Sequence, residues 1–150
     1  MYKTPSTMDH ALILLGGREH SIKEMQTKLK QRGHTEEDIT TTIQSLLEIN
    51  YLNDPRFAEI FVRSRINKPL GALRIKQELK QKGIMDEQAN QAIQDSGADW
   101  FELAKELKER KFGESKYKDF KEKGKQIRYL QYRGFNFDQI KYALEPDNEQ

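Results

Sequence analysis

The sequence predicts an all-α protein made of three tandem three-helix repeats that form an elongated, curved array. Three observations carry this expectation. A leucine followed by a glycine four residues on, with short apolar side chains six and ten residues further, occurs three times. The copies are Leu29-Gly33-Ile39-Ile43, Leu79-Gly83-Ala89-Ile93 and Leu130-Gly134-Ile140-Leu144. The glycines lie about 50 residues apart, the spacing of repeat architectures. Apolar residues recur at i, i+3 and i+4, the period of an amphipathic helix. No segment alternates like a half-buried strand.

The first helix of each unit carries the stripe Ala11-Leu14-Leu15, Ala58-Phe61-Val62 or Ala104-Leu107. Seven residues after each alanine stands a cation, at Arg18, Arg65 and Lys111. The second helix leads into the glycine through Ile22-Met25-Leu29, Ala72-Ile75-Leu79 and Ile127-Leu130. Arg32, Lys82 and Arg133 precede the three glycines, as in a helix C-terminus closed by a left-handed residue. The third helix follows at once, with Ile39-Ile43-Leu46-Leu47, Ala89-Ile93 and Ile140-Ala143-Leu144 on its apolar side. Helix starts are expected at Ser21 with Glu24 as a capping box, and at Thr35 before Glu36-Glu37-Asp38. Asp54-Pro55 reads as N-cap and first helical residue, and Asp86 and Asn136 as caps of the later third helices. The units are expected at 8–53, 54–96 and 97–145. From Ala104 to Gly134 the third unit is eight residues longer than the first from Ala11 to Gly33, and the excess falls in the basic stretch FGESKYKDFKEKGK.

Of 150 residues, 35% are hydrophobic and 33% charged, so the core is thin and spread along the chain. One three-helix unit buries too little surface to stand alone. The chain has no cysteine, which excludes disulfide and thiolate chemistry and suits a cytoplasmic location. No stretch is long and apolar enough to cross a membrane, and the N-terminal apolar run lacks the flanks of a secretory signal. An elongated array of this kind is expected to be a monomer that presents a surface rather than a pocket.

The net charge of +2 hides a segregation. Residues 34–53 and 85–104 contain acids and no Lys or Arg, whereas residues 105–134 hold eleven cations against five acids. The sequence thus reads as basic first and second helices and an acidic third helix. Acids in first turns and cations in last turns follow from the helix macrodipole. Arg56, Arg63, Arg65, Lys68, Arg74 and Lys76 are the candidate partner-binding surface, most of them read as lying away from helix C-termini. Lys116, Lys118, Lys121, Lys123, Lys125 and Arg128 form a second candidate basic surface.

Reactive constellations are missing from the pattern. His10, His20 and His34 have no second ligand at metal spacing, so no metal site is expected. Ser21 beside His20 is better read as a cap than as a nucleophile. Gly16-Gly17 lacks the Lys-Ser/Thr of a phosphate-cradling loop. Trp100-Phe101 reads as core. Tyr129, Tyr132, Phe135, Phe137 and Tyr142 read mostly as core, with one or two left for a partner. No catalytic residue and no cofactor is expected, and a binding protein is the reading.

The blocks ALILLGGREHSIKEMQTKL, YLNDPRFAEIFVRSR, GALRIKQELKQKGI and KQIRYLQYRGF together resemble RecX, the bacterial regulator of the RecA recombinase. The resemblance runs in order from about Ala11 to Leu144 and is most distinctive from Asp54 through Arg65, with Gly71 and Arg74-Ile75 beyond. Asn50 stands where the family usually has glycine, Asn53 where it usually has an acid, and Leu70-Gly71 where it often has an aromatic and glycine. The resemblance implies three tandem three-helix units. It implies binding to RecA and to the RecA–DNA nucleoprotein filament, with inhibition of filament growth, ATP hydrolysis and strand exchange; weak direct DNA binding is a further expectation. The alternative reading is a stand-alone DNA-binding helical module, against which the acidic third helices argue. If the repeat alignment is right, Leu29→Ala, Leu79→Ala and Leu130→Ala each destabilise by about 2–5 kcal/mol. Denaturant melts that show no loss at two of the three would break the alignment.

Overall fold

The computed structural model describes residues 5–145. All regular structure among them is helical: α1 (Thr7–Gly17), α2 (Ile22–Gln31), α3 (Glu36–Glu48), α4 (Asp54–Ile66), α5 (Ala72–Gln81), α6 (Asp86–Asp95), α7 (Trp100–Phe112), α8 (Phe120–Tyr132) and α9 (Phe137–Leu144). Each consecutive trio encloses its own core. The first is built on Ala11, Met25, Leu29, Ile39, Ile43, Leu46 and Leu52. The second is built on Phe57, Ala58, Val62, Ile75, Leu79, Ile84 and Ala89, with Phe61 and Leu70 at its margin. The third is built on Ala104, Leu107, Leu130, Phe135, Ile140, Ala143 and Leu144. The three repeat leucines are wholly buried, as their alignment requires.

Helix starts obey local hydrogen bonding. Ser21 Oγ accepts from Glu24 N while the Glu24 carboxylate accepts from Ser21 N, a closed capping box. Asn136 with Gln139 forms another, and Thr35 caps α3 as expected. Two expected caps are shifted by one residue. Asn53, not Asp54, caps α4, so Asp54 is the first helical residue and Pro55 the second. Asp86 likewise lies inside α6, whose cap Met85 makes no side-chain bond. Asp54 does other work, because its carboxylate accepts from Ile22 N at 2.9 Å and satisfies an orphan donor at the start of α2. The long basic stretch of the third unit divides into a loop at 113–119 and an N-terminal extension of α8, which is 13 residues long against 10 in α2 and α5.

Gly33, Gly83 and Gly134 end their helices at φ +88°, +83° and +98°. Two of them serve a further purpose. Ser21 Oγ, at the start of α2, donates to Lys82 O just before Gly83 (2.7 Å). Gly71 N, at the start of α5, donates to Arg133 O just before Gly134 (2.7 Å), and Leu73 N donates to Gly134 O (3.1 Å). Ser21 and Gly71 are equivalent positions, so one joint is used twice. In it the second helix of one unit seats its N-terminus on the glycine turn of the next. A Cβ on Gly71 would fall on the Gly134 carbonyl and 2.7 Å from Phe135 N, and one on Gly134 would meet the Arg74 Cβ and backbone. A Cβ on Gly83 would lie 2.6 Å from Lys23 Cβ, whereas Gly33 opens to solvent.

Asn50 also has positive φ, +61°. Asparagine tolerates this region better than other non-glycine residues, so the turn after α3 forms without a glycine.

These differences order a mutational series. Gly33→Ala is expected to cost about 1–2 kcal/mol, the left-handed penalty alone. Gly134→Ala adds overpacking of about 1–3 kcal/mol at the joint, and Gly83→Ala falls between. Thermal melts of the three variants check the order; equal losses at all three would deny the joint its role.

Candidate partner-binding surface

The six cations assigned to the middle unit do not act alike. Arg56, in the first turn of α4, donates to Glu19 at 2.8 Å and to the carbonyls of Asn50 and Tyr51 at 2.9 and 3.3 Å. Arg65 and Arg74 share one carboxylate: Nε of Arg65 lies 2.8 Å from Glu78 Oε1, and Nε of Arg74 lies 3.0 Å from Glu78 Oε2. Burial alone would raise the Glu78 carboxyl, but these two guanidinium groups outweigh it and hold it below its ordinary value. Arg65 also stands over the Phe61 ring at 4.2 Å. Arg74 also donates to Tyr132 O at 3.2 Å and stands over the Tyr132 ring at 5.4 Å, so it belongs to the second joint.

The expectation that Arg63 and Arg65 lie away from helix ends is corrected: both stand in the last turn of α4, where the macrodipole favours cations. Arg63 and Lys68 are exposed and Lys76 is half-buried. Among the described residues, no ion pair within 4 Å engages any of these three.

The second basic segment is more open. Lys116, Lys118, Lys121, Lys125 and Arg128 are all exposed. Lys123 is the exception, 3.8 Å from Glu145 and 5.2 Å from the Tyr117 ring centre. Lys108 and Gln126, which the sequence did not single out, are buried at positions where the other units have Val62 or Leu15 and Met25 or Ile75. Lys108 Nζ donates to Gly113 O and Ser115 O at 2.8 and 2.9 Å and so cinches the basic loop against the third core. Alignment of the repeats on Ala104 and Leu130 is the signal that finds these two residues.

The charge pattern also needs correction at both ends of the chain. α1 contains no Lys or Arg, and α9 carries Lys141 beside its one acid, Asp138. The sorting into basic and acidic helices therefore holds strictly only in the middle unit. Phe101 is partly exposed and meets Tyr142 edge-on at 5.7 Å, while Trp100 packs on the second core rather than the third. Tyr132 and Phe137 are the exposed members of the C-terminal aromatic run.

The histidines, read as isolated, are partly joined. His10 Nδ1 lies 2.6 Å from His34 Nε2, and Thr7 Oγ1 lies 2.9 Å from His34 Nδ1. No cluster of three or more metal-ligating side chains occurs among the described residues. His20 is buried; its Nδ1 donates to Arg18 O (3.0 Å), and Lys28 Nζ donates to its Nε2 (2.9 Å). Desolvation lowers its pKa and favours the neutral ring that this pattern needs. No helix among the described residues is long and apolar enough to span a membrane.

Three three-helix units joined turn to cap define a tandem helical-repeat protein. Profiles of the RecX first, second and third three-helix domains match residues 8–46, 53–93 and 98–144. Regulatory protein RecX of Vibrio parahaemolyticus is 46% identical over 97% of this chain and 94% of its own length. That of Halorhodospira halophila is 39% identical over 94% and 88%. The crystal structure of RecX from Lactobacillus salivarius superposes with a TM-score of 0.79 at 25% identity, covering 93% of each chain. The chain belongs to the RecX family.

The first joint supplies a pH test. Glu24 receives Arg18 at 3.0 Å and Lys82 at 2.9 Å, bridging the first and second units. Burial raises its carboxyl, but Arg18, Lys82 and the Ser21 N–H overcome this and lower it from 4.5 to about 2. A carboxyl depressed by folding stabilises fully above its unfolded value and loses that contribution as pH falls from 4.5 towards about 2. Glu24→Gln is expected to lower stability at pH 7 by about 1–2 kcal/mol, since both cationic partners can return to water. Melts of the variant and parent should converge across that acid window; a constant difference would remove Glu24 from the ionic joint.

Proposed function

We propose that this chain is a cytoplasmic, non-enzymatic, monomeric regulator that binds the RecA recombinase and the RecA–DNA filament and mainly inhibits strand exchange and ATP hydrolysis. One observation carries this reading beyond family membership. Cations without a carboxylate partner (Arg63, Lys68 and Lys76) and the open basic segment Lys116–Arg128 lie on two adjacent units held together by a backbone joint. A rigid pair of basic surfaces suits a repetitive, negatively charged partner such as a protein filament coated on nucleic acid. Contacts that are weak singly gain avidity when one chain presents them in fixed register. In this mechanism the array lies in the filament groove, obstructs strand exchange and hinders addition of the next RecA subunit. No cofactor enters it.

The test separates binding cations from folding cations. Arg63→Ala, Lys68→Ala and Lys76→Ala together are expected to leave the melt within about 0.5 kcal/mol of the parent. They are expected to weaken inhibition of RecA's DNA-dependent ATPase and to flatten its salt dependence. Arg65→Ala with Arg74→Ala instead lowers stability, because it strands Glu78 and removes the Arg74 bond to Tyr132 O across the second joint. A folded triple variant that inhibits like the parent at low and high salt moves the contact to Lys116–Arg128. Equal affinity of the parent for naked DNA and for the filament would favour the stand-alone DNA-binding reading.

A further inference from the structure

A groove lies between the second and third helices of the first unit and of the third, and its lining differs between them. In the first unit it is lined by Gln26, Thr27, Lys30, Glu36, Ile39 and Thr40. Aligned on the repeat glycines, Gln26 corresponds to Ile127, Glu36 to Phe137, Ile39 to Ile140 and Thr40 to Lys141. The third groove, of about 190 Å³, is accordingly lined by Ile127, Phe137, Ile140 and Leu144, with Lys123 and Lys141 at its edge and Glu145 at one end. The second unit has Lys76, Asp86, Ala89 and Asn90 at the corresponding places, again mostly polar. Compared with the first groove, the third is apolar at two further places, Ile127 for Gln26 and Phe137 for Glu36, and α9 carries one cation and one acid where α3 carries four acids and no cation.

Ile140 and Leu144 belong to the third core, but the Phe137 ring does not. Phe137 is 74% exposed, which leaves a large ring in water at the lip of the groove. At about 190 Å³ the groove takes one or two apolar side chains; small-molecule sites generally run to about 300–1,000 Å³. The charge at its edge selects the occupant. Lys141 is exposed at the lip, and Glu145 engages Tyr117 and lies 3.8 Å from Lys123, so two cations and one acid stand at the groove's edge.

We propose that this groove is a docking site for an acidic segment of a partner protein that inserts an aliphatic or aromatic anchor between α8 and α9. The amphipathic mode is apolar contact along the groove floor with carboxylates facing Lys141 and Lys123. The proposal does not depend on RecA being the partner.

The test uses the full chain and three peptides of about four helical turns. One carries Leu on one face and Glu elsewhere, one replaces Glu with Lys, and one replaces Leu with Ser. The acidic amphipathic peptide is expected to bind saturably and shift the amide resonances of Ile127, Phe137, Ile140 and Lys141. The other two should bind at least about tenfold more weakly. Phe137→Glu with Lys141→Thr, which installs the residues of the first unit, should weaken the acidic peptide by at least about tenfold, as loss of an anchor does. Lys141→Thr alone keeps the charge contribution testable if the double variant melts early. The proposal is overturned by equal binding of the Lys peptide, by shifts centred elsewhere, or by no saturation up to about 1 mM. Concentration-dependent shifts in the same groove without any peptide would assign it to a second copy and also overturn it. Because peptide binding is read directly, a parent that fails to inhibit RecA removes the RecA assignment and leaves the groove to be judged by the peptides.

Discussion

A helix begins with N–H groups that no residue within the helix can accept, and the architecture of this chain rests on where α2 and α5 send theirs. Part of the answer is local, as in the Ser21–Glu24 box. The remainder is supplied from the adjoining unit: Asp54 accepts from Ile22, and the carbonyls of Arg133 and Gly134 accept from Gly71 and Leu73. A turn carbonyl is a fixed acceptor, so the second joint sets the approach of two units through backbone alone, and the first through a short hydroxyl on the same kind of acceptor. The constraint explains the glycines at both ends of the second joint. Gly71 and Gly134 face each other with no room for a Cβ on either. The first joint replaces Gly71 with Ser21, whose hydroxyl reaches Lys82 O from a little further away and adds Glu24 as an ionic latch.

The joint also decides which cations are available to a partner. Glu24 and Glu78 are equivalent neither in position nor in partners, yet each gathers two cations near a unit boundary. Arg18, Lys82, Arg65 and Arg74 are thereby drawn into the fold. A cation held against a half-buried carboxylate has surrendered much of its field, and recruiting it for binding means first breaking the pair. Arg63, Lys68 and Lys76 carry no such cost, and this separates them from the arginines beside them in the chain.

The helices were legible because their signals are local: a 3.6-residue period, capping side chains and a glycine after the last turn. The repeat leucines were legible because three copies of one pattern report the same buried position. Gly33, Gly83 and Gly134 were legible as helix stops, but the joint was not, since Gly71 and Gly134 meet across 63 residues of chain and nothing in either segment announces the other. The arginines were misjudged for a similar reason. Glu78 is four residues after Arg74 and reads as an ordinary helical pair; its second partner, Arg65, comes from another helix. Asp54 looked like a cap because Asp-Pro is a strong helix-start signal, yet Asn53 took the cap and left Asp54 to serve α2.

The third unit shows how a repeat is altered without loss of its frame. Its apolar ring keeps Ala104, Leu107, Leu130 and Ile140 buried, while Lys108 and Gln126 replace apolar core residues. Burying an ammonium is tolerable only when its donors are matched, and two loop carbonyls match two of those of Lys108. The same bonds turn a long insertion into a loop anchored to the core, which fixes where the lysines of α8 begin. Polarity thus lies inward at Lys108 and apolar surface outward at Phe137. A unit under selection for stability alone would move both in the opposite direction. The combination makes sense if the third unit adds a recognition role of its own to that of the cations on the middle unit.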